Sequence, residues 1–140
     1  RIKSIKVVEP FLRNTDMLSV DFNSLRNSDT DVNLYSNSNG LTAIQMCQAM
    51  KYAGVSDKMS AVGLFNCHPS QNENSSNLLA QLIWYFIDGY SMRMQDFPIG
   101  SKKNYKKFYV KLEDFSEDLV FYRSDKSNRW WLEVKYNSED

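Results

Sequence analysis

The chain has no surplus of either charge. Its 17 basic residues are matched by 17 acidic ones. That balance excludes a general nucleic-acid binder, whose affinity grows from neutralising phosphates. Histidine occurs once and cysteine twice. Cys47 and Cys67 lack CxxC spacing, so no disulfide framework is expected and a reducing compartment fits. A long apolar run is also missing: Leu78 to Ile87 is the longest, is broken by Gln81, and is too short to span a bilayer. No charged-then-apolar leader opens the chain. The expected location is cytoplasmic, with neither a membrane nor nucleic acid as a partner. The chain begins at Arg1, without a methionine, and enters an expected strand almost at once, as a fragment or a processed product would.

What is present is a series of apolar segments separated by polar loops. The 140 residues suffice for one domain with a real core. Ile5, Val7 and Val8 form a short extended segment ended by Pro10. Met17 to Phe22 reads as a buried strand. Asn23 to Asn39, rich in Asn, Ser and Asp, reads as a long loop of the kind that carries function. Asn39-Gly40-Leu41-Thr42 then opens a helix, with Ala43, Met46, Cys47 and Met50 at helical spacing and Gly54 as a natural stop. Met59 to Phe65 is a further strand. Ser75 or Ser76 caps the next helix, whose wide apolar stripe (Leu78, Leu79, Leu82, Ile83, Phe86, Ile87) should pack on a sheet.

Strand, loop, helix, strand is a crossover, so the strands should be parallel and their carboxyl ends should share one edge. Ligands of open α/β sheets bind at that edge. Asp21 and Asn23, two apart and so on one face of a strand, are expected there beside Asn66 and His68. After Pro98 and Gly100 come three aromatic-rich runs, Phe108 to Leu112, Leu119 to Tyr122 and Trp130 to Tyr136. They read as an antiparallel meander appended to the parallel layer. Trp130 and Trp131 should face opposite ways, one into a core and one outward as an interface residue. Lys102, Lys103, Lys106 and Lys107 read as a solvated loop, and Asp29 and Asp31 as solvated loop acids.

Several of these segments together resemble the carboxyl-terminal part of the ureohydrolase family, the arginases, agmatinases and formimidoylglutamases. Val8-Glu9-Pro10, Asp16 to Asp21 and Asn39 to Thr42 resemble its late strand and following helix. Gly63 to Pro69 is similar to its last core strand, and Leu79 to Phe86 to its closing helix. Phe121 to Ser124 and Arg129 to Val134 resemble the tail of a divergent bacterial branch. The expected architecture is α/β. Residues 1–97 form a parallel-sheet, three-layer ureohydrolase-like portion in strand–helix–strand–helix order, and residues 98–140 a three-stranded antiparallel β meander packed on it.

The resemblance implies a two-manganese hydrolase in which a metal-bridging hydroxide attacks a guanidinium or formimino carbon. Of the family's ligands, only a late pair of aspartates falls within this chain. Asp21 matches its first member, and Asn23 stands where the second is expected. The family's substrate-orienting glutamate would fall at Asn66, with His68 beside it as a structural histidine or a substrate-side residue. An amide is a neutral ligand, so manganese belongs to the complete family fold rather than to this chain alone. Asp21 itself reads as a retained metal ligand or as a strand-end acid bonding loop amides. Two functions remain open. One is the carboxyl-terminal segment of an arginase- or formimidoylglutamase-like protein, inactive as an isolated chain. The other is a non-catalytic structural or interaction module that has lost the two-metal site. A parallel sheet short of strands leaves edges that pair with something. The expected partner is the missing amino-terminal part of the same fold, another protein, or a second copy.

Overall fold

The computed structural model describes residues 4–30, 38–67, 73–98, 102–112 and 118–134. The chain divides into two compact units, residues 1–93 and 94–140.

The first unit opens with helix rather than the expected strand. Ser4 caps a 3-10 turn, Ile5–Val8, by accepting from the Lys6 amide, and α1 (Glu9–Arg13) follows directly. Pro10 stops a strand but suits the first turn of a helix, where its missing N–H and fixed φ cost nothing. Arg13 grips Glu9 one turn earlier, with Nη2–Oε2 at 2.6 Å. Ile5 and Leu12 are buried and Val8 packs beside them, at helical spacing, while Val7 stays exposed. The alternation of Ile5 and Val7 pointed to the wrong period.

β1 (Met17–Asp21) and β2 (Ala61–Phe65) pair in parallel, in register from Met17↔Ala61 to Asp21↔Phe65. They are joined through α2 (Ala43–Val55), as a crossover demands. A capping box starts α2: Gln45 N donates to Thr42 Oγ1 at 3.0 Å, and Thr42 N donates to Gln45 Oε1 at 3.0 Å. α3 (Glu73–Ser91) places Ser75 and Ser76 inside its first turns, so neither is its cap. Glu73 stands in that first turn, where an acid complements the helix dipole.

The core joins Val20, Phe22 and Leu25 with Met46, Cys47 and Met50 of α2 and Leu78 and Leu82 of α3. A second cluster, Ile5, Leu12, Ala49, Ala53 and Met59, fills the other side of α2. Only part of the predicted α3 stripe is used, because Ile83 and Ile87 remain exposed. Gly54 does not stop α2. It sits inside the helix, where α3 passes so close that a Cβ would lie 2.2 Å from the Phe86 carbonyl oxygen.

The second unit is the expected meander. β3 (Tyr105–Val110), β4 (Leu119–Ser124) and β5 (Trp130–Glu133) form an antiparallel sheet in that order. Residues 135–136 of the predicted last strand lie outside the described residues. Tyr105, Tyr122 and Trp131 meet edge to face, with centroids 6.5 and 5.9 Å apart. Asp96, 2% exposed, ties the start of this unit to the turn between β4 and β5. Its carboxylate accepts from Ser127 Oγ and lies 3.5 Å from Arg129 Nη1, while its carbonyl accepts from the Tyr105 hydroxyl.

Candidate functional site

The parallel pairing puts the ends of β1 and β2 on one edge, and Asp21 and Asn66 meet there. Asp21 is the last residue of β1 and its side chain turns back to cap a 3-10 turn, Phe22–Ser24. Asp21 Oδ1 accepts from the Asn23 amide at 2.8 Å and from Asn66 Nδ2 at 3.0 Å. Asn66 follows β2 with φ of 56°, a left-handed conformation that asparagine tolerates better than most residues. The Asn66 hydrogen bond, and after it the Asn23 amide, hold the Asp21 carboxyl below the usual aspartate range, outweighing the small effect of burial. Asp21 is exposed to solvent.

Asn23 is not on the strand face that its spacing suggested. β1 ends at Asp21 because that carboxylate takes the Asn23 amide and bends the chain into the 3-10 turn. His68 lies outside the described residues. Cys67 Sγ reaches the Phe65 carbonyl at 3.5 Å, and its thiol is pushed up by burial and then by the Asp21 charge. Cys47 and Cys67 are both free thiols.

Two other expectations change. Asp29 is not a solvated loop acid, because its Oδ2 accepts from the Ala43 amide at the start of α2 at 2.7 Å. Arg26 and the Ser28 hydroxyl also engage it. Asp31 lies outside the described residues. Beside Asp29 the loop is closed at its base by a bridge between Leu25 and Leu41. Lys106 and Lys107 are on β3 rather than in a loop, and each lies near an acid: Lys106 with Asp125 at 3.8 Å, Lys107 with Glu133 at 4.0 Å.

Among the described residues, the donor set at the sheet edge is one carboxylate and the amides of Asn23 and Asn66. Among the described residues, no group of three or more His, Cys, Asp or Glu side chains gathers in one place. A manganese pair takes several hard anionic oxygens and imidazoles. One carboxylate with neutral amides does not fit it. What Asp21 can do with its own atoms is accept hydrogen bonds from a cationic N–H donor at the carboxyl edge of the sheet. Among the described residues, no helix is long and apolar enough to cross a membrane.

No family model matches the chain. No curated protein matches it either. Among solved structures, the chain resembles the crystal structure of formimidoylglutamase from Bacillus subtilis subsp. subtilis str. 168, with a TM-score of 0.56 and 20% identity. The match covers 64% of this chain and 30% of that one, so the chain spans less than a third of that protein's length. At this identity the likeness is one of fold, an α/β arrangement.

Proposed function

We propose that this chain is a ureohydrolase-like segment that supplies one wall of a hydrolase domain and does not hydrolyse C–N bonds by itself. The observation that carries this reading is the Asp21–Asn66 contact at the carboxyl edge of two parallel strands, in a fold that resembles a formimidoylglutamase. In this reading Asp21 is the one anionic oxygen ligand retained, and Asn23 and Asn66 occupy positions where two carboxylates would be. Amides offer lone pairs without charge, so the chain's own residues do not balance two manganese ions. Guanidino or formimino compounds are the substrate class of the completed domain.

Completion runs along the strand edges. Among the described residues β1 and β2 pair only with each other. The Ala61 amide donates to the Asp16 carbonyl at 3.3 Å, so alternation along a parallel ladder turns the Val62 and Leu64 backbone groups outward. Such groups recruit a further strand. The test is an assay of the purified chain, supplied with manganese(II), on arginine, agmatine and formiminoglutamate. No urea, ammonia or formamide above the blank is expected, and release by the chain alone overturns the reading.

A second reading, a non-catalytic interaction module, is favoured by how Asp21 is engaged: Oδ1 already accepts two hydrogen bonds from within the chain. The double substitution Asn23→Asp with Asn66→Glu separates the two. A gain in manganese affinity supports the site-wall reading, and no gain supports the module.

A further inference from the structure

The two faces of the meander differ. Residues two apart on a strand share a face, and the register aligns them across strands. Phe108, Phe121 and Leu132 are opposite one another, as are Lys106, Arg123 and Trp130. On this face Phe108 is 37% exposed, Trp130 48% and Leu132 48%. The other face buries Tyr122, Ser124 and Trp131. A sheet face this apolar is unusual when left in water.

Arg123 sits in the middle of the exposed face. Its guanidinium lies 5.9 Å from the Phe108 ring centroid and 5.8 Å from that of Trp130, and the two rings are 5.0 Å apart. Its Nε is buried and has no hydrogen-bond partner. Among the described residues no carboxylate pairs with it, whereas the neighbouring Lys106 has Asp125. Arg123 and Lys106 also stand directly opposite each other, a like-charge pair that costs stability.

We propose that this face docks a protein segment that places a carboxylate on Arg123 and apolar side chains on Phe108, Trp130 and Leu132. A carboxylate matches the guanidinium fork, would satisfy the buried Nε, and would relieve the repulsion from Lys106. Arginine and tryptophan in an apolar ring of neighbours is also the composition of interface hot spots. A second copy of this chain does not fit the same face. An isologous pairing about Arg123 would bring together two guanidinium groups that have no paired carboxylate among the described residues. Nucleic acid does not fit either, because among the described residues Arg123 is the one cation beside these rings without a paired carboxylate, and a phosphate backbone is tracked by several.

The experiment pans a phage-displayed random-peptide library against the full chain and measures the selected peptides by fluorescence polarisation. Peptides carrying Asp or Glu beside Leu, Phe or Trp are expected. Replacing the acid of such a peptide by its amide should weaken binding roughly tenfold to a hundredfold, with no change to the protein. The side-chain Nε–H resonance of Arg123 should shift on binding, and R123Q should lose that binding with the meander's near-ultraviolet circular dichroism intact. The proposal is overturned if selected peptides lack acids, if the amide peptides bind as well, if binding leaves the Arg123 resonance unmoved, or if an oligothymidine strand competes for the face.

Discussion

Replacing Gly54 by alanine sets two effects of opposite sign against each other. In an isolated helix, Gly→Ala adds about 1 kcal/mol of stability. In this chain the added Cβ would lie 2.2 Å from the Phe86 carbonyl oxygen, 2.8 Å from the Tyr90 nitrogen and 3.0 Å from Gly89 Cα. All are backbone atoms of α3, so no rotamer change relieves the contact. A carbon–oxygen contact relaxes at about 3.3 Å, so α2 and α3 must part by roughly 1 Å. A gap of that size forfeits about a quarter to a half of each dispersion contact across it. The layer affected holds Met50, Leu82 and Ala53. Overpacking of this kind costs about 1–3 kcal/mol, and strained backbone contacts place Gly54→Ala at the upper end. After the helix-propensity gain, the expected net loss is about 2 kcal/mol, or roughly 10 °C in Tm for a unit of this size. Urea unfolding followed by far-ultraviolet circular dichroism measures it. Gly89→Ala should behave alike, since its Cβ would lie 2.2 Å from the Lys51 carbonyl oxygen. The double variant should cost less than the sum, because helices already parted accept the second methyl. A Gly54→Ala chain as stable as the wild type, or more so, refutes the close crossing.

Asp96→Ala removes the partner of Arg129 and Ser127. It should destabilise the meander by about 3 kcal/mol, seen as an earlier transition in tryptophan fluorescence. Asn66→Ala removes the largest cause of the lowered Asp21 pKa, so NMR titration should find that carboxyl moved up toward an ordinary aspartate. Asp29 has its own pH signature. Burial pushes its carboxyl up, but the Ala43 amide, the Ser28 hydroxyl and Arg26 outweigh that and leave it lowered. A carboxyl lowered on folding adds stability that is complete above its unfolded pKa and is lost as pH falls through its folded one. Asp29→Ala should therefore be about 1 kcal/mol less stable at neutral pH, and should lose less than the wild type when unfolding is repeated in acid.

The elements that could be read from sequence are those whose apolar period is unambiguous. Val20, Leu64, Met46, Met50, Leu78 and Leu82 all mark their elements by spacing, and the parallel pairing followed from a helix between two strands. The approach of Asn66 to Asp21 followed from that topology, with no motif needed. What stayed hidden depends on atoms distant in sequence or on a single local competition. Asp29 reaches the Ala43 amide across a loop. Gly54 is small because α3 crosses it, and nothing within α2 reports that. At Asp21 the side chain takes the Asn23 amide and ends the strand, a local choice that the apolar run through Phe22 conceals. In segment 5–13, Pro10 suits either a strand stop or a helix start, and the chain uses it as a helix start.

In the proposed reading, Asp21 is one anionic remnant of a two-metal site that this chain does not complete. Isothermal titration of manganese(II) into the purified chain addresses it directly. Weak binding of at most a single ion is expected, abolished by Asp21→Asn. Two ions bound tightly and stoichiometrically per chain would contradict it.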